Sequence, residues 1–101
     1  MSSSVGLRYN RDVATANNGT LTVPVGFRPA RVVVRNFTNQ VMIEWVDTLA
    51  DAYAFKTVAA GTRSNVTSAG ITPTSTGFTI GNLADINDTT TEQLHWEAWG
   101  Q

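Results

Sequence analysis

The sequence predicts an all-β fold: a single antiparallel β-sandwich of about six to eight short strands, preceded by an extended N-terminal arm. Three observations carry this. The 101 residues include 15 Thr and 11 Val, β-branched side chains that suit a pleated, half-buried surface. Several short runs alternate apolar and polar residues, the period-two signature of a strand with one buried face. Between those runs stand Gly, Asn, Asp and Pro, the residues that turn a chain.

Residues 1–19 (MSSSVGLRYNRDVATANNG) are rich in Ser and Asn and hold Leu7, Tyr9 and Val13 without sustained alternation. They read as an arm that is extended or weakly ordered alone, and residues 20–101 read as the sandwich domain. TLTVPV (20–25) sets Leu21, Val23 and Val25 on one face. Pro24 lacks a ladder donor, so this strand is expected at an edge or at a bulge. GFRP (26–29) turns the chain. RVVVRNFT (31–38) sets Val32 and Val34 against Arg31, Val33 and Arg35. VMIEWVD (41–47) sets Val41, Ile43 and Trp45 against Met42, Glu44 and Val46, with a hairpin at Asn39-Gln40 between the two runs.

The Ala-rich stretch 47–61 predicts a short helical turn capped by Asp47 or Thr48, then a strand at YAFKTV. RSNVTS (63–68) reads as a short strand, and TGFTIG (76–81) as another that points Phe78 and Ile80 inward. ADINDTTTE (84–92) is a polar loop. QLHWEAWG (93–100) sets Leu94, Trp96 and Ala98 against His95, Glu97 and Trp99. Trp45 and Trp96 fall on apolar faces and read as core. Trp99 falls opposite Trp96 and reads as an exposed or interfacial ring.

Composition excludes several function classes. With no cysteine and one histidine, a disulfide scaffold, a thiolate metal centre, a cysteine nucleophile and a multi-histidine metal site are out. No run approaches the ~20 apolar residues of a membrane-spanning helix, and the opening residues lack an apolar signal region. A net charge of -1 argues against a nucleic-acid partner bound through its phosphates. Charged residues make up 15% of the chain, below the usual figure of about 25%, which suits a protein packed among neighbours. Residues 1–40 carry Arg8, Arg11, Arg28, Arg31 and Arg35 against Asp12, a net of +4; the acidic remainder carries -5. These halves could complement each other between copies, or strand pairing could mix them in space.

No catalytic constellation is legible. His95 shares a face with Glu97 and Trp99, but no second base, nucleophile or oxyanion loop accompanies it, so the chain does not read as an enzyme. Asp85, Asn87, Asp88, Thr89 and Glu92 gather oxygen ligands in one loop. That loop lacks the glycine and the terminal bidentate acid of a calcium site, and reads as a solvated turn. No metal or cofactor is expected. The Asn-x-Ser/Thr triplets at Asn18, Asn36, Asn65 and Asn87 follow from composition.

GFRPARVVVRN (26–36), IEW (43–45), KTVAAGTR (56–63), GITPTSTGFTIG (70–81) and ADIND…LHWEAWG (84–100), in that order, resemble small virion structural proteins of tailed bacteriophages. The resemblance leaves the arm outside. It implies assembly without catalysis: a head decoration (cement) protein, a head-fibre base or a tail-associated module. The Phe-x-Pro turn before a Val-rich strand, with the closing Trp96-Glu97-Ala98-Trp99-Gly100, is also similar to the H-type lectin domain. That domain is a sandwich that trimerises and binds N-acetylgalactosamine-type sugars.

The expectation is therefore a decoration protein on the outer surface of the capsid head. It would be a homotrimer whose partner is the major capsid protein, with neither nucleic acid nor membrane involved. Its arm residues Leu7, Arg8, Tyr9 and Arg11 would order on binding the shell. From a different class, a glycan-binding module of a fibre or tail would use His95, Trp99, Asp85 and Asn87. A fibre or tail connector of the same fold is a third reading.

Overall fold

The computed structural model describes residues 8–100. Among them lie eight strands and no helix: β1 (Arg8–Thr15), β2 (Leu21–Pro24), β3 (Pro29–Asn36), β4 (Val41–Val46), β5 (Tyr53–Thr57), β6 (Arg63–Pro73), β7 (Gly77–Ile80) and β8 (Gln93–Gly100). Every pairing is antiparallel, and the strands form one sheet in the order β1-β8-β3-β4-β5-β6-β7-β2. The expected all-β antiparallel fold is present as a single nearly closed sheet.

The sheet rolls over itself. Trp96 of β8 meets Phe78 of β7 edge to face, ring centres 5.7 Å apart, although these strands stand near opposite ends of the sheet order. The corner falls in β6. Its first part pairs with β5 at Ala54↔Val66, and after a register shift Tyr53 pairs with Ile71. Gly70 makes the corner possible, because a Cβ there would lie 2.6 Å from the carbonyl oxygens of Ala52 and Tyr53. The sequence reads only 63–68 as a strand; the structure carries it through the bulge to Pro73.

The inward positions fuse into one core. Val32, Val34, Ile43, Ile71, Phe78, Ile80, Leu94 and Ala98 are all fully buried, and Trp45 and Trp96 nearly so. These are the alternate residues of their strands, as period-two patterning requires. Pro24 sits in edge strand β2, where its missing donor costs nothing. The hairpin between β3 and β4 forms, with four residues, 37–40, in the turn; Gln40 adopts a φ of 57° and its N–H donates to the Asn36 carbonyl.

Two expectations change. Residues 47–52 form successive tight turns and no helix: Leu49 N–H bonds the Val46 carbonyl, Tyr53 N–H the Ala50 carbonyl, and Ala52 sits at a φ of 68°, outside helical space. The Trp45 indole N–H reaches the Ala50 carbonyl and fixes this connection. Residues 8–15 of the segment read as a loose arm are strand β1, paired with β8 along its whole length. The reason lies in β8, whose Leu94, Trp96 and Ala98 are buried. β3 serves only one edge of β8, and the backbone groups on the other edge need a ladder too.

Candidate functional site

The outer face of β1, β8, β3, β4 and β5 gathers the candidate side chains in cross-strand rows. One row runs Tyr9–Trp99–Arg31–Val46, the next Arg11–Glu97–Val33–Glu44–Phe55, the third Val13–His95–Arg35–Met42–Thr57. Alternation puts them there: in β8, β3 and β4 each stands one position from an inward residue. Val33 is the exception in burial. It faces outward yet is 2% exposed, enclosed by its strand neighbours Arg31 and Arg35 and its cross-strand partners Glu44 and Glu97.

Two ion pairs cross that centre, Arg31 Nε to Glu44 at 2.6 Å and Arg35 to Glu97 at 2.8 Å. Glu97 also accepts the Tyr9 hydroxyl at 2.7 Å. That hydrogen bond, and next the Arg35 guanidinium, hold the Glu97 carboxyl below its ordinary value of 4.5. The same bond raises the Tyr9 phenol above its ordinary 10.0, with desolvation and the nearby carboxylate charge adding to it.

At one end of the face, Trp99 is held between two partners. The Arg31 guanidinium lies 4.5 Å from its ring centre and the Tyr9 ring lies 5.3 Å away. At the other end, the Phe37 ring stands 6.0 Å from His95, and Val13 is the cross-strand partner of His95. Phe37 is 75% exposed, the most exposed of the large apolar side chains among the described residues. Between the ends lies a shallow depression of about 430 Å³ whose lining includes Arg11, Val13, Arg35, His95 and Glu97.

Of the residues singled out from sequence, Leu7 lies outside the described residues. Arg8, Tyr9 and Arg11 lie in β1 and are exposed. His95 and Trp99 share the outer face but belong to opposite ends of it, four residues apart on an extended strand, or about 13 Å. Asp85 is exposed in a turn at a φ of 65°, with its carbonyl accepting from Asn39.

Asn87 is corrected from surface contact to buried tie. It is fully buried. Its Oδ1 accepts the Asn17 N–H at 2.7 Å, and its Nδ2 donates to the carbonyls of Gly19 at 2.8 Å and Gly81 at 3.1 Å. Every polar atom of that amide is committed to the chain's own loops, so it has none to offer a sugar. Asn36 is equally internal, donating to the Ile86 carbonyl and to Glu92. Together these amides lock loop 82–92, with Ile86 driven into the core as a plug.

The four-residue glycan set therefore does not assemble. Asn87 is inside, Trp99 is covered by Arg31 and Tyr9, and His95 is at the far end. Among the described residues no three His, Cys, Asp or Glu side chains converge on a point where an ion would sit. Sequence reasoning missed Phe37, because it was read within the strand run 31–38, whereas β3 ends at Asn36 and Phe37 stands in the turn.

What the geometry offers is an aromatic and arginine cluster braced on one sheet face. Trp, Tyr and Arg are the residues that dominate binding energy at interfaces, and here one of each is prearranged by contacts within the face, which lowers the ordering cost of association. The free edge beside it is partly blocked to strand addition. The outward N–H groups of Arg11 and Val13 are already taken by the side chains of Asn10 at 2.9 Å and Asp12 at 2.8 Å. The class defined is thus an all-β domain that presents a rigid aromatic and arginine face. In comparisons with known proteins, no family model, curated protein or solved structure matches this chain.

Proposed function

We propose that this chain is a structural docking subunit of a tailed-phage virion, a decoration (cement) protein on the outer surface of the capsid head whose partner is the major capsid protein. The observation that carries the reading is the Tyr9–Trp99–Arg31 cluster, a half-buried tryptophan braced by exposed tyrosine and arginine side chains on one sheet face. The virion address comes from the motif order described above. The mechanism is mechanical. Each copy buries this face against shell subunits, so opening of the shell must also break those contacts.

β1 takes part as an ordered strand. It contributes Tyr9 and Arg11 to the face and holds them over Trp99 and Glu97. A connector of the same fold in a fibre or tail would use the same face on a different neighbour.

The test uses head shells stripped of this chain and purified full-length protein. The expected result is saturable binding, weakened about 30-fold or more in Trp99→Ala or Arg31→Ala, the loss typical of interface hot spots. No binding of the wild type to heads, or unchanged binding of both variants, would overturn the proposal. Binding to purified tails in place of heads would move the address to the connector.

A further inference from the structure

We propose that Asn18 is a latent self-modification site, which converts spontaneously to aspartate or isoaspartate, and that the side chain of Asn17 is the guard that holds it back in the folded chain. Of the eight asparagines, Asn18 alone is followed by glycine. It stands exposed in the loop between β1 and β2. Because Gly19 has no side chain, its backbone nitrogen can approach the Asn18 side-chain carbon without hindrance. The loop does not need a glycine there for its shape. Asn18 itself takes the left-handed position, at a φ of 53°, and Gly19 does not. A Cβ on Gly19 would meet only ordinary contacts, the nearest at 3.8 Å.

The chemistry needs only water. The Gly19 nitrogen gives its proton to solvent and bonds to Asn18 Cγ, the bond from Cγ to the side-chain nitrogen breaks, and that nitrogen leaves as ammonia. Water then opens the cyclic imide at one carbonyl or the other, giving aspartate or isoaspartate. Nothing is oxidised or reduced. Ring closure requires the Gly19 nitrogen to lose its proton and to turn towards the Asn18 side chain, and the fold opposes both. The Gly19 N–H donates to Asn17 Oδ1 at 3.0 Å, the local turn that asparagine side chains favour. The Gly19 carbonyl accepts from Asn87 Nδ2 at 2.8 Å. Asn17 is fixed in turn, its Nδ2 donating to the Thr20 carbonyl at 3.2 Å and its backbone N–H to Asn87 Oδ1 at 2.7 Å. The reactive nitrogen is therefore released only when this loop opens locally.

The product carries one negative charge more than the -1 of the unmodified chain. Isoaspartate also adds a methylene to the backbone where Asn87 ties residues 17–19 to loop 82–92, so it misaligns those bonds. The inference does not depend on the capsid reading, because it is tested on the isolated chain.

Full-length protein is incubated at one pH and temperature, folded or in denaturing urea, and residue 18 is followed by peptide mapping with mass spectrometry. The folded wild type is expected to convert about tenfold or more slowly than the unfolded chain, the factor set by breaking the bonds that hold Gly19. Asn17→Ala removes the acceptor of the Gly19 N–H from an exposed side chain, and its folded rate should approach that of the unfolded chain. Asn17→Asp keeps an oxygen acceptor in place and should stay as slow as the wild type. Gly19→Ala should suppress the reaction folded and unfolded, with an unfolding midpoint close to that of the wild type.

Absence of conversion at residue 18 in the unfolded wild type overturns the site. A folded wild type that converts as fast as the unfolded chain overturns the guard. So does Asn17→Ala as slow as wild type, or Asn17→Asp as fast as Asn17→Ala.

Discussion

Strand β8 carries two tryptophans three residues apart, and they live in different environments. Trp96 is 4% exposed and meets Phe78 edge to face at the centre of the core. Trp99 lies on the other face, half-covered by Tyr9 and Arg31. The inner face of the strand holds the rolled sheet together. The outer face is braced by ion pairs and ring contacts that add little to stability, because exposed ion pairs are worth about 0–1 kcal/mol. What the contrast teaches is that an aromatic ring can be rigid without being core. The outer face is ordered by its own contacts, the feature on which the proposed docking role rests.

The contrast is broken most forcefully from the inside. Trp96→Ala should cost about 3–5 kcal/mol, read as a lowered midpoint in urea unfolding. Asn87→Ala comes next. It strips the partners from the carbonyls of Gly19 and Gly81 and from the Asn17 N–H, at about 2–3 kcal/mol by the cost of leaving buried polar groups unmade. Its signature should be local as well as global: amide protons around residues 17–19 and in loop 82–92 should lose protection from hydrogen exchange before the core strands do. A stability equal to wild type would show that Ile86 and the Asn36 and Asn39 amides hold the loop without Asn87.

Much of this division was legible in the sequence. The alternation in VMIEWV and QLHWEAWG assigns inner and outer faces, and Pro24 assigns an edge, because each rests on local backbone chemistry. β1 was not legible. Its residues are exposed on both faces apart from half-buried Ala14, so no apolar period marks it, and its order comes from the edge of a strand some 80 residues away. The buried amides were also hidden. Asn36 and Asn87 go inside because nearby loop carbonyls and N–H groups need partners, and that need appears only once the loops meet. Val33 was read as the alternate, outward position, which it is; its burial depends on the charged ring that pairing assembles around it.

From the outside, the effects on stability shrink and change character. Trp99→Ala should cost about 1 kcal/mol or less, in line with the modest worth of exposed aromatic and cation–π contacts, while docking falls sharply. Tyr9→Phe should be the mildest, and its readout is pH. Because Glu97 titrates below its ordinary value in the folded chain, its contribution is present above about pH 4.5 and is lost as the pH falls through the depressed value. Because Tyr9 titrates above 10.0, its contribution is present below that pH and is lost as the pH rises through the elevated value. Tyr9→Phe should flatten the acid side by removing the larger cause of the Glu97 depression and abolish the alkaline step. An unchanged profile of unfolding midpoint against pH would show that the Tyr9–Glu97 link does not form in solution.

The most direct test of the central claim, that the outer face is for docking and the inner face for folding, pairs two readings on one variant. Arg31→Ala with Trp99→Ala, in the full chain, is melted and then titrated onto stripped head shells. The account predicts a melting midpoint lowered by no more than about 4–8 °C, as expected for a change near 1 kcal/mol in a domain of this size, together with loss of shell binding. A midpoint that collapses along with binding, or binding that survives intact, would contradict it.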